Sequence, residues 1–238
     1  MQSQNRLRCP VAAPSRSGGR KHAPLNAPRS RHAPSACDRI RHPARYALGV
    51  TDAPIILSFD PQTLRERIDV DAANERLAEI ERYRSLTALN QQVTLLRLLG
   101  RYDEAFDKAQ AAARQSRFTG SREDSLEARI RRAQVDHYRG KTDTALGELT
   151  NCVDEAVAHE WGTLAGFALY NRGKLLFELD QLEEALADFE RALKFREADS
   201  QAVDQTTATK FAIRAVRAKL EGHSSPDEQT EPFTAIDC

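Results

Sequence analysis

Between Pro61 and Pro226 the chain holds no proline, although ten occur in its 238 residues and six of them fall before residue 44. Proline removes a helix donor and clashes with the preceding turn, so this long gap permits helices and the earlier cluster opposes them. Cysteine is also scarce. Cys9, Cys37, Cys152 and Cys238 form no CxxC pair and no metal-ligand spacing, which excludes a zinc ribbon, argues against a disulfide framework and favours a reducing, cytoplasmic setting. No apolar run approaches the roughly 20 residues that span a bilayer, so no membrane partner is expected. Nor is there a phosphate-cradling loop: NRGK at 171–174 lacks the further glycines and the Ser/Thr, and HE at 159–160 lacks a second His four residues after the first. Nothing predicts catalysis, a cofactor or a metal.

What is present is unevenly placed. The formal charge is zero, yet residues 1–50 hold ten Lys/Arg and one acid, Asp38, leaving an acidic body. Segment 1–52 is rich in Arg, Ala, Ser, Pro and His and cannot bury enough apolar surface to order itself. It reads as a disordered tail with three alternative origins. It is an arm for nucleic acid or another acidic surface, although aromatics for base stacking are nearly absent. It is a transit peptide, although its prolines break an amphipathic helix. Or it is an upstream extension, with Val50 as the true start, since Met1 is the only methionine and composition turns ordinary at TDAPIILSFDP. His22, His32, His42 and Cys37 lack the close spacing of a metal site.

From residue 53 the pattern is helical. Asp60 before Pro61 suits a helix N-cap with Pro in the first turn. A second helix is expected from Asp69 or Asp71, with Leu77, Ile80 and Tyr83 on one face, so 53–85 is predicted to be N-terminal helices. Beyond it one frame returns at a displacement of forty: LLGRYDEAFDKA (98–109), YRGKTDTALGEL (138–149) and ELDQLEEALADF (178–189). Val93, Ala133 and Gly173 sit in each first helix, Gly100, Gly140 and Asp180 at each turn, and Ala105, Ala145 and Ala185 where each second helix begins. A larger side chain at those alanines would force packed helices apart, at about 1–3 kcal/mol. Gly100 and Gly140 fit left-handed helix ends. Asp180 tolerates that geometry less well, which predicts a different third turn.

This frame resembles the tetratricopeptide repeat, most closely in LYNRGKLLFELDQLEEALADFERALKF (169–195) and least closely in the second copy, where Arg129, Asp136 and Thr142 replace apolar residues. The resemblance implies an all-α, right-handed α-solenoid, with three repeats over 86–199, a capping helix at 200–222 and a disordered tail at 223–238. About six residues per repeat exceed the family's length of about 34, and FTGSRED (118–124) and EWGTLA (160–165) are expected to hold them. Phe211, Ala212, Ala215, Val216 and Leu220 form the stripe of the capping helix.

In such arrays the first helices line a concave groove. The resemblance places there Asn90, Thr94, Arg97, Arg131, Gln134, His137, Tyr170, Asn171, Lys174 and Phe177. Amides with basic groups suit an extended peptide or an acidic terminus. The chaperone-tail receptors of the family carry a Lys/Asn/Arg constellation, which Asn90, Thr94, Phe167 and Asn171 do not reproduce. Cys152 lies on the small-residue frame and reads as a packing residue. The expected function is a scaffold or adaptor that binds a protein segment without catalysis. The alternative is the sensory module of a transcriptional or signalling regulator with a basic nucleic-acid arm.

Overall fold

The computed structural model describes residues 54–198 and 203–222. The basic segment 1–52, the start at Val50 and the tail 223–238 lie outside the described residues, so those expectations are untouched by it.

The first described element is a strand, where a helix was expected. Strand β1 (Ile56–Phe59) pairs antiparallel with β2 (Glu66–Ile68). Asp60 does act as a cap, but of a turn: its Oδ1 accepts from the amides of Gln62 and Thr63 at 2.9 and 3.1 Å, and its own amide donates to the Arg65 carbonyl at 2.8 Å. The β-branched and aromatic run Ile55–Phe59, bounded by two prolines, carries the strand preference that outweighs Asp-Pro as a helix start. Leu64 adopts a left-handed φ of 55°, which costs a side chain with a Cβ about 1–2 kcal/mol. Its nearly complete burial in the main core offsets that by about 1.5–3 kcal/mol.

One helix, α1 (Val70–Ile80), follows. Asp69 caps it, accepting from the amides of Asp71 and Ala72. Leu77 and Ile80 are buried, whereas Tyr83 lies beyond the helix and is exposed. Three antiparallel pairs come next: α2 (Leu86–Leu98) with α3 (Tyr102–Thr119), α4 (Arg122–Tyr138) with α5 (Thr142–Ala158), and α6 (Gly162–Glu178) with α7 (Leu182–Ala198). The last helix, α8 (Val203–Leu220), packs on α7 and touches α6. Each helix contacts the next, as in a helical solenoid. Helices α2, α4 and α6 also lie against one another and form an inner layer.

Ala105, Ala145 and Ala185 are fully buried, as their spacing requires. On α8, Ala212, Ala215 and Val216 are buried, Phe211 is partly buried against the core and Leu220 is exposed. The connections within and between pairs are only two or three residues long and five of the six repeat helices run to 17 or 18. FTGSRED and EWGTLA are therefore mostly helix. One expectation is corrected, because the third turn does not differ. Asp180 has φ 62°, beside 74° at Gly100 and 76° at Gly140. In all three turns the same pair of amide bonds closes the helix end: Gly100 to Arg97 and Arg101 to Leu96, Gly140 to His137 and Lys141 to Asp136, Asp180 to Phe177 and Gln181 to Leu176. Aspartate is among the few residues with a Cβ that visit this region, and Lys219 of α8 pairs with its carboxylate at 2.7 Å.

Candidate functional site

Residues forty apart occupy equivalent places on α2, α4 and α6, so the inner layer presents rungs. The rungs at the C-terminal ends of these helices hold Arg97 and His137, Tyr138 and Glu178, and Lys174. The hairpin docks here. Glu66, on β2, accepts from Arg97 Nη1 and Nη2 at 3.2 and 3.3 Å, from Lys174 Nζ at 3.2 Å and from the Tyr138 hydroxyl at 3.3 Å. Lys174 also donates to that hydroxyl at 3.1 Å. Both Lys174 and Glu66 are buried, at 2% and 9% side-chain exposure.

Burial alone would raise the Glu66 pKa, but the Arg97 and Lys174 charges outweigh it and hold the carboxyl well below its usual range. Burial likewise acts to discharge Lys174, and Glu66 reverses this, so its ammonium is held more firmly than in water. A second pair lies alongside. Arg65 donates to both Glu178 oxygens at 3.2 and 3.4 Å, and His137 Nε2 lies 2.9 Å from the same carboxylate. Burial raises Glu178, but the His137 and Arg65 hydrogen bonds outweigh it and bring its pKa down to about 2. The guanidinium groups of Arg65 and Arg97 lie 5.1 and 4.9 Å from the Tyr138 ring centre.

Three of the ten expected groove residues are therefore committed internally. His137 and Lys174 hold Glu178 and Glu66. Phe177 is buried in the core, with the Lys219 ammonium 4.8 Å from its ring centre. Arg97 lines open space but is also bound to Glu66. The other six, Asn90, Thr94, Arg131, Gln134, Tyr170 and Asn171, line a cavity of about 730 Å³ along α2, α4 and α6. The hairpin closes one end through Ile56, Phe59 and Glu66, and the first turn of α8 borders it through Gln205 and Ala208.

Within the cavity Arg131 spans two helices. It donates to Thr94 Oγ1 at 2.8 Å and to Glu127 at 2.8 and 3.1 Å, and its guanidinium lies 5.2 Å from the centre of the Phe167 ring. Asn171 donates to the Phe167 carbonyl at 2.8 Å. The wall is mixed, with Leu86, Leu164 and Phe167 beside the amides. Sequence reasoning missed Glu66 and Arg196. Glu66 gave no local signal, because a single acid on a three-residue strand is ordinary. Its trace was indirect and not periodic: Arg97, His137 and Lys174 gather cations toward the C-terminal ends of α2, α4 and α6. Arg196 was missed because it comes from a second helix.

Among the described residues no group of three His, Cys, Asp or Glu side chains could hold a metal ion. Cys152 is buried and free, and burial pushes its thiol up to about 12, far from a reactive thiolate.

The inner layer, the paired helices behind it and the capping α8 define a helical-repeat protein. Residues 167–199 match the tetratricopeptide repeat model, a span that begins inside α6 and runs past the end of α7, and the match supports the family resemblance of the sequence. A tetratricopeptide repeat indicates a protein–protein interaction module. Among solved structures the chain is similar to BtubC (BKLC) from P. vanneervenii, at 17% identity and a TM-score of 0.41, over 71% of this chain and 79% of that one. No curated protein matches the chain. Among the described residues no helix is long and apolar enough to cross a membrane.

Proposed function

We propose that this chain is a non-catalytic adaptor that receives a peptide segment of another protein in the cavity of its inner helical layer. The observation that carries this reading is the division of the layer. The hairpin fills its C-terminal end, while Asn90, Arg131, Phe167 and Asn171 line a cavity that stays open along three successive repeats. The volume falls within the range of about 300–1,000 Å³ typical of binding clefts. Amides beside apolar side chains suit an extended backbone, which needs hydrogen bonds along its length and pockets for alternate side chains.

The test is a selection of random peptides displayed against the full chain. Replacing Phe167 and Asn171 together by Ala should lower the affinity of the enriched peptides at least tenfold while far-UV circular dichroism stays unchanged. Undiminished binding would place recognition elsewhere. Lys174 is unsuited to such a test, because its loss strands the buried Glu66.

A further inference from the structure

Charged groups that line the cavity are matched, with one exception. Glu66 is held by Arg97 and Lys174, Glu127 by Arg131, and Asp124 closes the capping box of α4 through the Ser121 amide at 2.7 Å. The cations Arg97 and Arg131 are thereby neutralised. Arg196, on α7, is 5% exposed and borders the same cavity, yet among the described residues it pairs with no carboxylate. Its Nη1 donates to the Gln205 carbonyl at 2.7 Å and to the Thr209 hydroxyl. Its guanidinium lies 4.4 Å from the Tyr170 ring centre. Its Nε has no partner.

A buried cation without a counter-ion is expensive, and burial lowers the Arg196 pKa to about 10. Neutral carbonyl and hydroxyl acceptors and a ring face stabilise it only in part. On the opposite wall the Asn90 Oδ1 is also buried and unpartnered. The cavity thus offers a planar donor group that, among the described residues, lacks its natural complement, a carboxylate, next to the apolar side chains of Leu164, Phe167 and Ala208.

Resting on the peptide-groove reading, we infer that the occupant of this cavity is an extended peptide of a partner protein carrying an Asp or Glu side chain beside an apolar residue, with its carboxylate set against Arg196. A peptide source follows from size. The cavity runs past three repeats, far beyond the reach of one small acid, and its apolar wall has no use for a free carboxylate.

Random ten-residue peptides displayed against the full chain provide the test, with enriched pools sequenced for wild type, Arg196→Gln and Arg196→Lys. The wild-type pool should favour one acidic position flanked by an apolar residue. A labelled peptide from that pool should bind at least tenfold more tightly than its Glu→Gln counterpart, and this comparison needs no variant of the protein to fold. Arg196→Gln should erase the difference and Arg196→Lys should keep part of it. A wild-type pool without acid enrichment, or a Glu preference that survives Arg196→Gln, overturns the carboxylate contact and leaves the groove standing. A failure to enrich any peptide overturns both. Competition by glutarate alone at micromolar concentration would reassign the site to a small acid. Binding of a synthetic 223–238 peptide to the full chain in preference to the selected peptides would reassign it to the chain's own acidic tail.

Discussion

Gly140 and Gly173 are both glycines of the repeat frame, yet they are needed for different reasons. At Gly140 the backbone is left-handed, with φ 76°, and an added Cβ would meet nothing within 4 Å. At Gly173, inside α6, a Cβ would stand 2.9 Å from the Phe189 ring of α7. Gly140→Ala should therefore cost about 1 kcal/mol through backbone conformation alone. Gly173→Ala should cost about 1–3 kcal/mol through overpacking, less whatever Ala contributes as a better helix former. Urea unfolding measures both, and the added variant Phe189→Leu separates them. It should recover part of the Gly173→Ala loss and none of the loss at Gly140. The spacing of small residues was legible in the sequence, but the two mechanisms behind it were not, since each depends on what surrounds the Cα.

Helices here are long, and their ends are secured by different devices. Helix α4 begins with a reciprocal capping box, in which the Ser121 hydroxyl accepts from the Asp124 amide at 3.1 Å and the Asp124 carboxylate accepts from the Ser121 amide. Helices α3, α5 and α6 have no side-chain cap. Ser121→Ala should accordingly lower stability by about 1 kcal/mol, read as a reduced urea midpoint with an unchanged slope. An unchanged midpoint would mean that the short Gly120–Ser121 connection, and not the cap, sets the start of α4. The same element scale explains why the hairpin was read as a helix. Asp60-Pro61 is a sound helix start in isolation, and the turn it makes instead is decided by Leu64 and Phe59 finding the core formed by α4 to α8.

Across the whole molecule the Glu66 cluster ties the N-terminal hairpin to all three inner helices. Breaking a buried ion pair by removing one partner costs about 3–5 kcal/mol, because the remaining charges stay buried. Glu66→Gln should lose about that much at neutral pH. Both Glu66 and Glu178 have folded pKa values depressed below the unfolded carboxylate value of about 4.3. Their contribution is thus complete above that value and is lost as pH falls toward the folded values, about 2 for Glu178. Asp136, which burial raises, acts in the opposite sense. The urea midpoint should therefore decline from about pH 5 downward, and the decline should be shallower in Glu178→Gln. A pH-independent midpoint between 5 and 3 would contradict the cluster. By itself the sequence determined the repeat and the helix pairing, which follow from residues at a fixed displacement along one chain, and the last helix, which follows from its apolar stripe. Only the tertiary structure decided which inner residues are filled and which remain open. That outcome depends on a strand distant in sequence placing one carboxylate among three helices, and on Arg196 finding no carboxylate among the described residues, neither of which leaves a periodic trace.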